Sequence, residues 1–314
     1  GDHRDLHSFP TRRSSDLVSN SYFPAIAAVD LGFFQREGLE AEIELLFPVP
    51  KTMEALRDGR FAFVAGSAHA TLTAFPDWQG ARLLVALAQH TYWFLVLRAD
   101  LGVRRGDLQA VKGLRLGAAP GVDLSLRRLL REVGIDPERD VQIGPVPGTS
   151  ESASFGVTAA RALAERQIDG FWANGMGAEV AVRRGVGTVV LDVRRGDGPP
   201  AARHYTFPAL VTTERLLAEQ PRAVEAAVRA IVAAQQALRA DPERATAVGR
   251  KRFPPEEAEL IAELIRRDAP YYDPAIRPET VERLNQFAQD MGLLSRPVPY
   301  EQVVATQVAP LWTA

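Results

Sequence analysis

The residues of this chain that could bind a small molecule lie just after short apolar runs. Three such turns are Gly66-Ser67-Ala68-His69, Pro120-Gly121-Val122-Asp123 and Asn174-Gly175. Each apolar run is typical of a buried strand, and an apolar pattern of helical period follows each turn. In open α/β sheets, ligands bind beyond the carboxyl ends of strands, where free backbone N–H groups at helix starts point into a crevice. The sequence therefore predicts one binding crevice lined by these turns.

The candidate ligand contacts are the polar, aromatic and backbone groups at these turns and at the junctions beside them. They are Tyr22, Phe23, Ser67, Ala68, His69, Gln89, His90, Gly121, Val122, Asp123, Trp172, Asn174 and Phe207. The backbone N–H groups at a helix start are donors whatever side chain they carry. The aromatic rings favour a flat, weakly charged or heteroaromatic solute. We expect the rings of Tyr22 and Trp172 to face each other across the crevice.

Each of these candidates also has a structural interpretation. The aromatic rings can be ordinary core residues, and a lone histidine is more often a satisfied structural group than a ligand contact. Asp123 and Asn174 can each cap the helix that follows them. Both interpretations stay open on the sequence alone.

Composition excludes several classes of protein. The 314 residues carry a formal net charge of −2 with interspersed signs, so no basic stripe for nucleic acid or a membrane surface is predicted. There is no cysteine, which excludes disulfides and thiolate metal sites. No run approaches the roughly 20 apolar residues of a spanning helix. Without a nucleophile elbow, a phosphate loop or a zinc motif, the sequence predicts neither a metal nor a cofactor.

Residues 1–17 are set aside from the fold. The stretch at 7–17 reads like the translation of a sequencing adapter joined to a truncated gene; the alternative is a disordered natural tail. In the first case the native N-terminus and any signal segment are missing.

The remaining chain alternates strands and helices and then becomes helical. Strands are predicted at residues 41–47, 61–65, 81–88, 93–98, 114–118, 141–146, 168–173, 187–192 and 205–211. Three long amphipathic helices follow, at about residues 221–238, 256–269 and 278–291. These helices need a sheet to cover, most simply that of the first lobe. We therefore expect an α/β protein with lobe 1 at 18–98 and 205–314 and lobe 2 at 99–204.

Four segments then carry a family resemblance, at residues 22–39, 54–63, 113–121 and 167–170. In this order they resemble the substrate-binding proteins of ABC importers in the nitrate, taurine, sulfonate and thiamine-pyrimidine-precursor group, over residues 18–304. The resemblance implies a type II periplasmic-binding-protein fold, with a ligand cleft between two hinged lobes and the C-terminal helices on the first lobe. It also implies a monomer that hands a small solute to an ABC permease and its ATPase. Such a protein is periplasmic or extracytoplasmic, in some cases with a lipid anchor.

One departure from that family limits the prediction of the solute. The turn at Pro120-Gly121 often continues with serine or threonine in the family, whereas here Val122 and Asp123 follow. A carboxylate at a helix start lowers the positive potential there, so we do not predict an oxyanion ligand. A transport component without enzymatic activity is expected. The alternatives are a ligand sensor and an enzyme of the same fold, like a menaquinone-pathway lyase with His69 or His90 as acid/base, or like a pyrimidine-precursor synthase.

Overall fold

The computed structural model describes residues 19–149 and 155–313, and within them the strands form two sheets. The first sheet has the order β1-β8-β2, and both of its pairings are antiparallel. The second has the order β5-β4-β6-β3-β7; β4 is parallel to β5 and β6, whereas β3 is antiparallel to β6 and β7. The strands are β1 Val64–Ser67, β2 Ala81–Ala86, β3 Phe94–Arg98, β4 Arg115–Ala118, β5 Gln142–Gly144, β6 Gly170–Ala173, β7 Gly187–Asp192 and β8 Pro208–Thr213.

Helices pack around both sheets. They are α1 Phe23–Asp30, α2 Phe33–Arg36, α3 Val49–Arg57, α4 Asp123–Glu132, α5 Phe155–Ala164, α6 Gly175–Arg183, α7 Glu214–Glu219, α8 Pro221–Ala240, α9 Ala245–Arg252, α10 Pro255–Ala258, α11 Ile261–Asp268, α12 Pro278–Asp290 and α13 Tyr300–Val303. This mixed arrangement confirms the predicted α/β class. Among the described residues, no helix combines the length and the apolar character that crossing a membrane requires.

Local sequence signals set many of the element ends. Pro24 lies in the first turn of α1. Gly32 lies directly after the C-cap residue of α1 and has a positive φ of 80°. Gly134 has a φ of 78° just after α4. The strand predicted at 187–192 is β7, residue for residue.

The long C-terminal helices divide between the two sheets. The buried face of α8, including Val224, Val228 and Ile231, packs against Leu84 and Leu210 of the first sheet. The helix α12 also joins a core of the first sheet, through Val281 and Leu284. The helix α11 packs in one core with α1, α8 and α9, and that core also includes β6 and α6 of the second sheet. The expectation that the C-terminal helices pack on the first lobe therefore holds, and α11 in addition contacts the second sheet.

Three strand predictions differ from the structure, one of them in its bounds only, because the strand predicted at 61–65 is β1, Val64–Ser67. Residues 41–46 form no strand: Ile43 and Leu45 pack on a core as an irregular segment, and the alternation of side chains persists without strand pairing. The strand β3, which the sequence places at the end of lobe 1, pairs inside the second sheet. Periodicity identifies β3 as a strand but does not specify its partner, because partner choice is a long-range contact.

Candidate ligand-binding site

His69 joins turns of the two sheets. It lies in a 3-10 turn, Ala68–Thr73, directly after β1, and its side chain is completely buried. Its Nε2 is 2.8 Å from the carbonyl oxygen of Gly121, in the turn between β4 and α4, and its Nδ1 is 3.0 Å from Oγ1 of Thr206. Two of the three strand-end turns that the sequence assigned to one crevice are thus in direct contact at this point.

The partners of His69 define its protonation state. A carbonyl oxygen only accepts, so Nε2 carries the proton and donates to Gly121, while Nδ1 accepts from the Thr206 hydroxyl. Burial lowers the pKa of His69 to about 4, against the opposing effects of the Gly121 carbonyl and the Asp123 charge. The imidazole is therefore neutral at pH 7 and acts as a hydrogen-bonding link between the sheets.

The turn at Gly121 uses its own carboxylate. Gly121 has a φ of 85°, and its N–H donates to Oδ1 of Asp123 at 3.0 Å. The other oxygen of Asp123 accepts from Nε of Arg127 at 2.9 Å. Val122 lies half-buried beside them at the helix start. Asp123 thus satisfies a donor of the turn and does not cap the helix as predicted, because it is itself the first residue of α4, and the N-cap residue Val122 makes no side-chain cap.

A row of aromatic rings crosses from Tyr22 to the second sheet. Tyr22 and Tyr92 meet edge to face at 6.1 Å with their hydroxyl oxygens 3.0 Å apart, and Ser67 hydrogen-bonds to both side chains. Burial raises the pKa of Tyr22 to about 12. Trp93 continues the row: its ring centre lies 4.5 Å from that of Tyr92 and 6.4 Å from that of Trp172. The rings of Tyr22 and Trp172 therefore belong to one row but do not face each other, because Tyr92 and Trp93 lie between them.

Trp172 itself is fully buried. Its Nε1–H donates to Oγ of Ser125 in α4 at 2.9 Å, so the indole has a complete set of core contacts. Phe23 and Phe207 are likewise packed in apolar cores, and Ala68 is buried with its N–H bonded to the Phe207 carbonyl at 2.9 Å. A ligand-binding role for these four residues stays a prediction.

The start of α6 is a second contact between distant parts of the chain. Asn174 caps the helix by accepting from the Gly177 N–H at 3.0 Å. The buried amide of Asn20 accepts from the Met176 N–H at 3.1 Å and donates to Asp268 of α11 at 2.8 Å. The sequence did not identify four residues that make these contacts: Asn20, Asp268, Tyr92 and Thr206. Only Asp268 carries a signal that could have revealed it, as a carboxylate on the apolar side of an amphipathic helix.

Gln89 and His90 lie on the segment that joins the two sheets rather than with His69. The Gln89 side-chain amide donates to the carbonyls of Asp273 and Ala275, both at 2.8 Å, which anchors that loop. The ring of His90 lies 5.3 Å from that of His204. Within the described ranges, no cluster of three or more histidine and carboxylate side chains is arranged to hold a metal ion.

The model of the NMT1-like family matches residues 19–250. The chain belongs to the NMT1-like family. Solved structures of the same fold include the zinc-bound ligand-binding component of an ABC-type import system from Staphylococcus aureus, with a TM-score of 0.71 and 15% identity over 95% of this chain and 96% of that one. A periplasmic sulfonate-binding protein from Methylobacillus flagellatus KT has a TM-score of 0.65 and 16% identity, over 92% of this chain and 89% of that one. A desulfurization enzyme has a TM-score of 0.64 and 17% identity, over 93% of this chain and 96% of that one.

These similarities confirm the predicted two-lobed fold and the resemblance to ABC substrate-binding proteins. Comparison with the curated proteins gives no match.

Proposed function

We propose that this protein is the solute-binding component of an ABC importer, closing two hinged lobes on a small organic solute and delivering it to a permease and its ATPase. The observation that carries the proposal is the hydrogen bond from His69, after β1 of the first sheet, to Gly121, after β4 of the second, at 2.8 Å. It supports a crevice whose two walls are the strand ends of two separate sheets. The binding proteins of import systems among the structural relatives support the same function.

Among the described residues, we assign 19–93 and 205–313 to lobe 1 and 94–149 and 155–204 to lobe 2, since β3 pairs with β6 and β7. The chain then passes between lobes on two segments, before β3 and before β8. This assignment moves one boundary of the sequence prediction by five residues.

The contacts between the lobes are suited to opening. Four ion pairs at the surface link lobe 2 to C-terminal helices: Arg184–Glu256, Arg183–Glu263, Arg267–Glu179 at 2.7 Å and Arg128–Asp290 at 2.9 Å. Exposed pairs contribute about 0–1 kcal/mol each because water screens them. The links from His69 to Gly121 and from Met176 to Asn20 are hydrogen bonds between neutral groups, which a solute can replace one for one. A buried ion pair, Arg194–Asp268 at 2.9 Å, also joins the lobes beside the passing segments.

This exchange indicates the chemistry of the solute. When the lobes separate, the hydrogen bond from His69 to Gly121 breaks, which frees an N–H donor and a carbonyl acceptor. The hydrogen bond from the Met176 N–H to Asn20 breaks as well. Tyr22, whose side chain is largely but not fully buried, adds a ring and a hydroxyl. These groups are neutral, and they fit a flat, neutral or weakly charged heteroaromatic solute bound by stacking and amide-type hydrogen bonds.

A thermal-shift screen followed by calorimetry tests the proposal, with pyrimidines, small aromatic acids, taurine and nitrate as probes. Ligand binding to the folded state raises the unfolding midpoint by mass action, and we expect a heteroaromatic probe to give the largest rise. Tyr22→Phe should weaken its binding, whereas Tyr300→Phe, which removes a hydroxyl bonded to the Ile276 carbonyl elsewhere, should not. A panel without any shift, or equal losses in both variants, would contradict the proposal.

We also propose a periplasmic or extracytoplasmic location, with a lipid anchor and a monomeric state. The periplasmic relatives support the location. Fractionation of cells expressing the native gene tests the location and the lipid anchor. Size-exclusion chromatography of the released protein tests the monomeric state.

An enzyme of the same fold is the second candidate, and the similarity to the desulfurization enzyme favours it. Mass spectrometry of each compound that binds, after incubation with the protein, separates the two functions. Conversion of the compound supports an enzyme; recovery of the intact compound supports transport or sensing.

A further inference from the structure

Two histidines and two arginines meet where the chain passes between the sheets. The two passing segments are bonded to each other, since the Thr91 N–H donates to the Arg203 carbonyl at 3.0 Å. On one segment, the His90 ring lies 5.3 Å from the His204 ring on the other segment and 6.0 Å from Tyr271. His90 is held with a φ of 71°, an uncommon conformation for a residue with a side chain.

Arg194 extends this group toward the interior. Its side chain is 7% exposed, and its guanidinium lies 4.7 Å from the centre of the Tyr271 ring and 5.3 Å from that of Phe94. Its Nη1 donates to Asp268 at 2.9 Å. Its Nε, however, is buried and has no hydrogen-bond acceptor among the described residues, and the same holds for Nε of Arg203. Arg203 directly precedes His204 in the chain, and Arg194 lies against the same Tyr271 ring as His90. Their two buried N–H donors indicate a place for an acceptor, because an unmade buried hydrogen bond costs free energy.

The charge around His90 is positive. The groups that lower its pKa to about 4, besides burial, are Arg203, His204, Arg194 and Arg283. The pKa of His204 is also lowered, by burial and by Arg283 and Arg203. Asp268 and Asp192 compensate the charge of Arg194, so the excess positive charge near His90 comes from Arg203 and Arg283, and Asp273 pairs with Arg277 at 2.9 Å.

We propose that the hinge cluster, defined as His90, Arg194, Arg203 and His204, binds a small oxyanion such as phosphate, sulfate or a carboxylate. The ion would accept from the two arginine Nε–H groups and from the imidazoles, and it would tie together the two segments on which the lobes move. This site adjoins the crevice but is separate from the His69 junction. The oxyanion can be a free ion or the anionic group of an organic molecule.

Isothermal titration of the full chain with inorganic phosphate at pH 6 and low salt tests the site. We expect saturable binding of one phosphate, weakened at least tenfold by Arg203→Gln and by His90→Gln. Arg104→Gln, which removes an exposed positive charge outside the cluster, should leave the affinity within twofold. Titration with sulfate, which does not itself titrate near pH 6, in two buffers of different ionisation enthalpy should reveal proton uptake, since an anion beside His90 favours the charged imidazole.

Several outcomes would overturn the proposal: no saturable binding, equal losses in Arg203→Gln and Arg104→Gln, or binding without proton uptake. If Arg203→Gln does not fold, as judged by its melting curve without phosphate, His204→Gln provides the same comparison. Phenyl phosphate distinguishes the sources: tighter binding than phosphate supports an organic anion, and equal or weaker binding supports a free ion. Because phosphate binding is measured apart from the heteroaromatic screen, either proposal can fail while the other stands.

Discussion

The buried imidazole of His69 should make the protein less stable in mild acid. Its pKa is about 4 in the folded protein and near 6.5 in an unfolded chain. Between these values the unfolded chain binds a proton that the folded protein does not, so stability rises with pH through this window and falls on acidification. One pKa unit corresponds to about 1.4 kcal/mol, which gives a loss on the order of 3 kcal/mol between pH 7.5 and pH 4. Water does not weaken this effect by screening, because the side chain of His69 is 0% exposed.

Urea unfolding of the wild type and of His69→Gln at pH 7.5 and pH 4.5 measures this contribution. Glutamine keeps an N–H donor for the Gly121 carbonyl but does not titrate, so subtracting the variant's loss from that of the wild type removes the effects of His90 and His204. We expect the wild type to lose about 2–3 kcal/mol more than the variant. Nitrogen NMR should in addition find the neutral Nε2–H form of His69 at pH 7.

A difference below about 0.5 kcal/mol would refute this reasoning, since one pKa unit alone corresponds to more than that. An imidazole that titrates near its ordinary pKa would refute it as well. Either result would mean that water reaches His69 and that the link between the two sheets is open in solution.

Three further substitutions test the surrounding framework, each measured by chemical unfolding at pH 7. Asn174→Ala removes the cap that accepts from Gly177 and should cost about 1 kcal/mol, whereas Asn174→Ser should restore most of it. Asp123→Ala leaves the Gly121 N–H without its acceptor and Arg127 with Glu138 alone, and it should cost ~1 kcal/mol; an unchanged midpoint would mean that the turn does not need its carboxylate. Gly170→Ala places a Cβ 2.4 Å from Leu97 and 2.6 Å from the Val96 carbonyl, so it should destabilise by roughly 1–3 kcal/mol, while the same change at Gly144, with open space around it, should have little effect.

The sequence by itself determined the local structure. Turn chemistry and periodicity act over a few residues, so Gly32, Gly134, the cap at Asn174 and the strand β7 could all be predicted from their neighbours. The alternation of strands and helices also determined the α/β class. The expectation that Gly121 and the residues around Ser67 share one crevice followed from a general rule about strand ends.

Only the tertiary structure decided which groups meet. Asn20 and Asp268 are 248 residues apart in the chain, and the two parts join because α1 and α11 share one core with the second sheet. Likewise β3 could be recognised as a strand, but its place between β6 and β7 depends on long-range pairing that its own residues do not encode. The same holds for Trp172 and His69, whose residue types suit either a ligand or the core; packing of the layers buried both and gave each its hydrogen-bond partners.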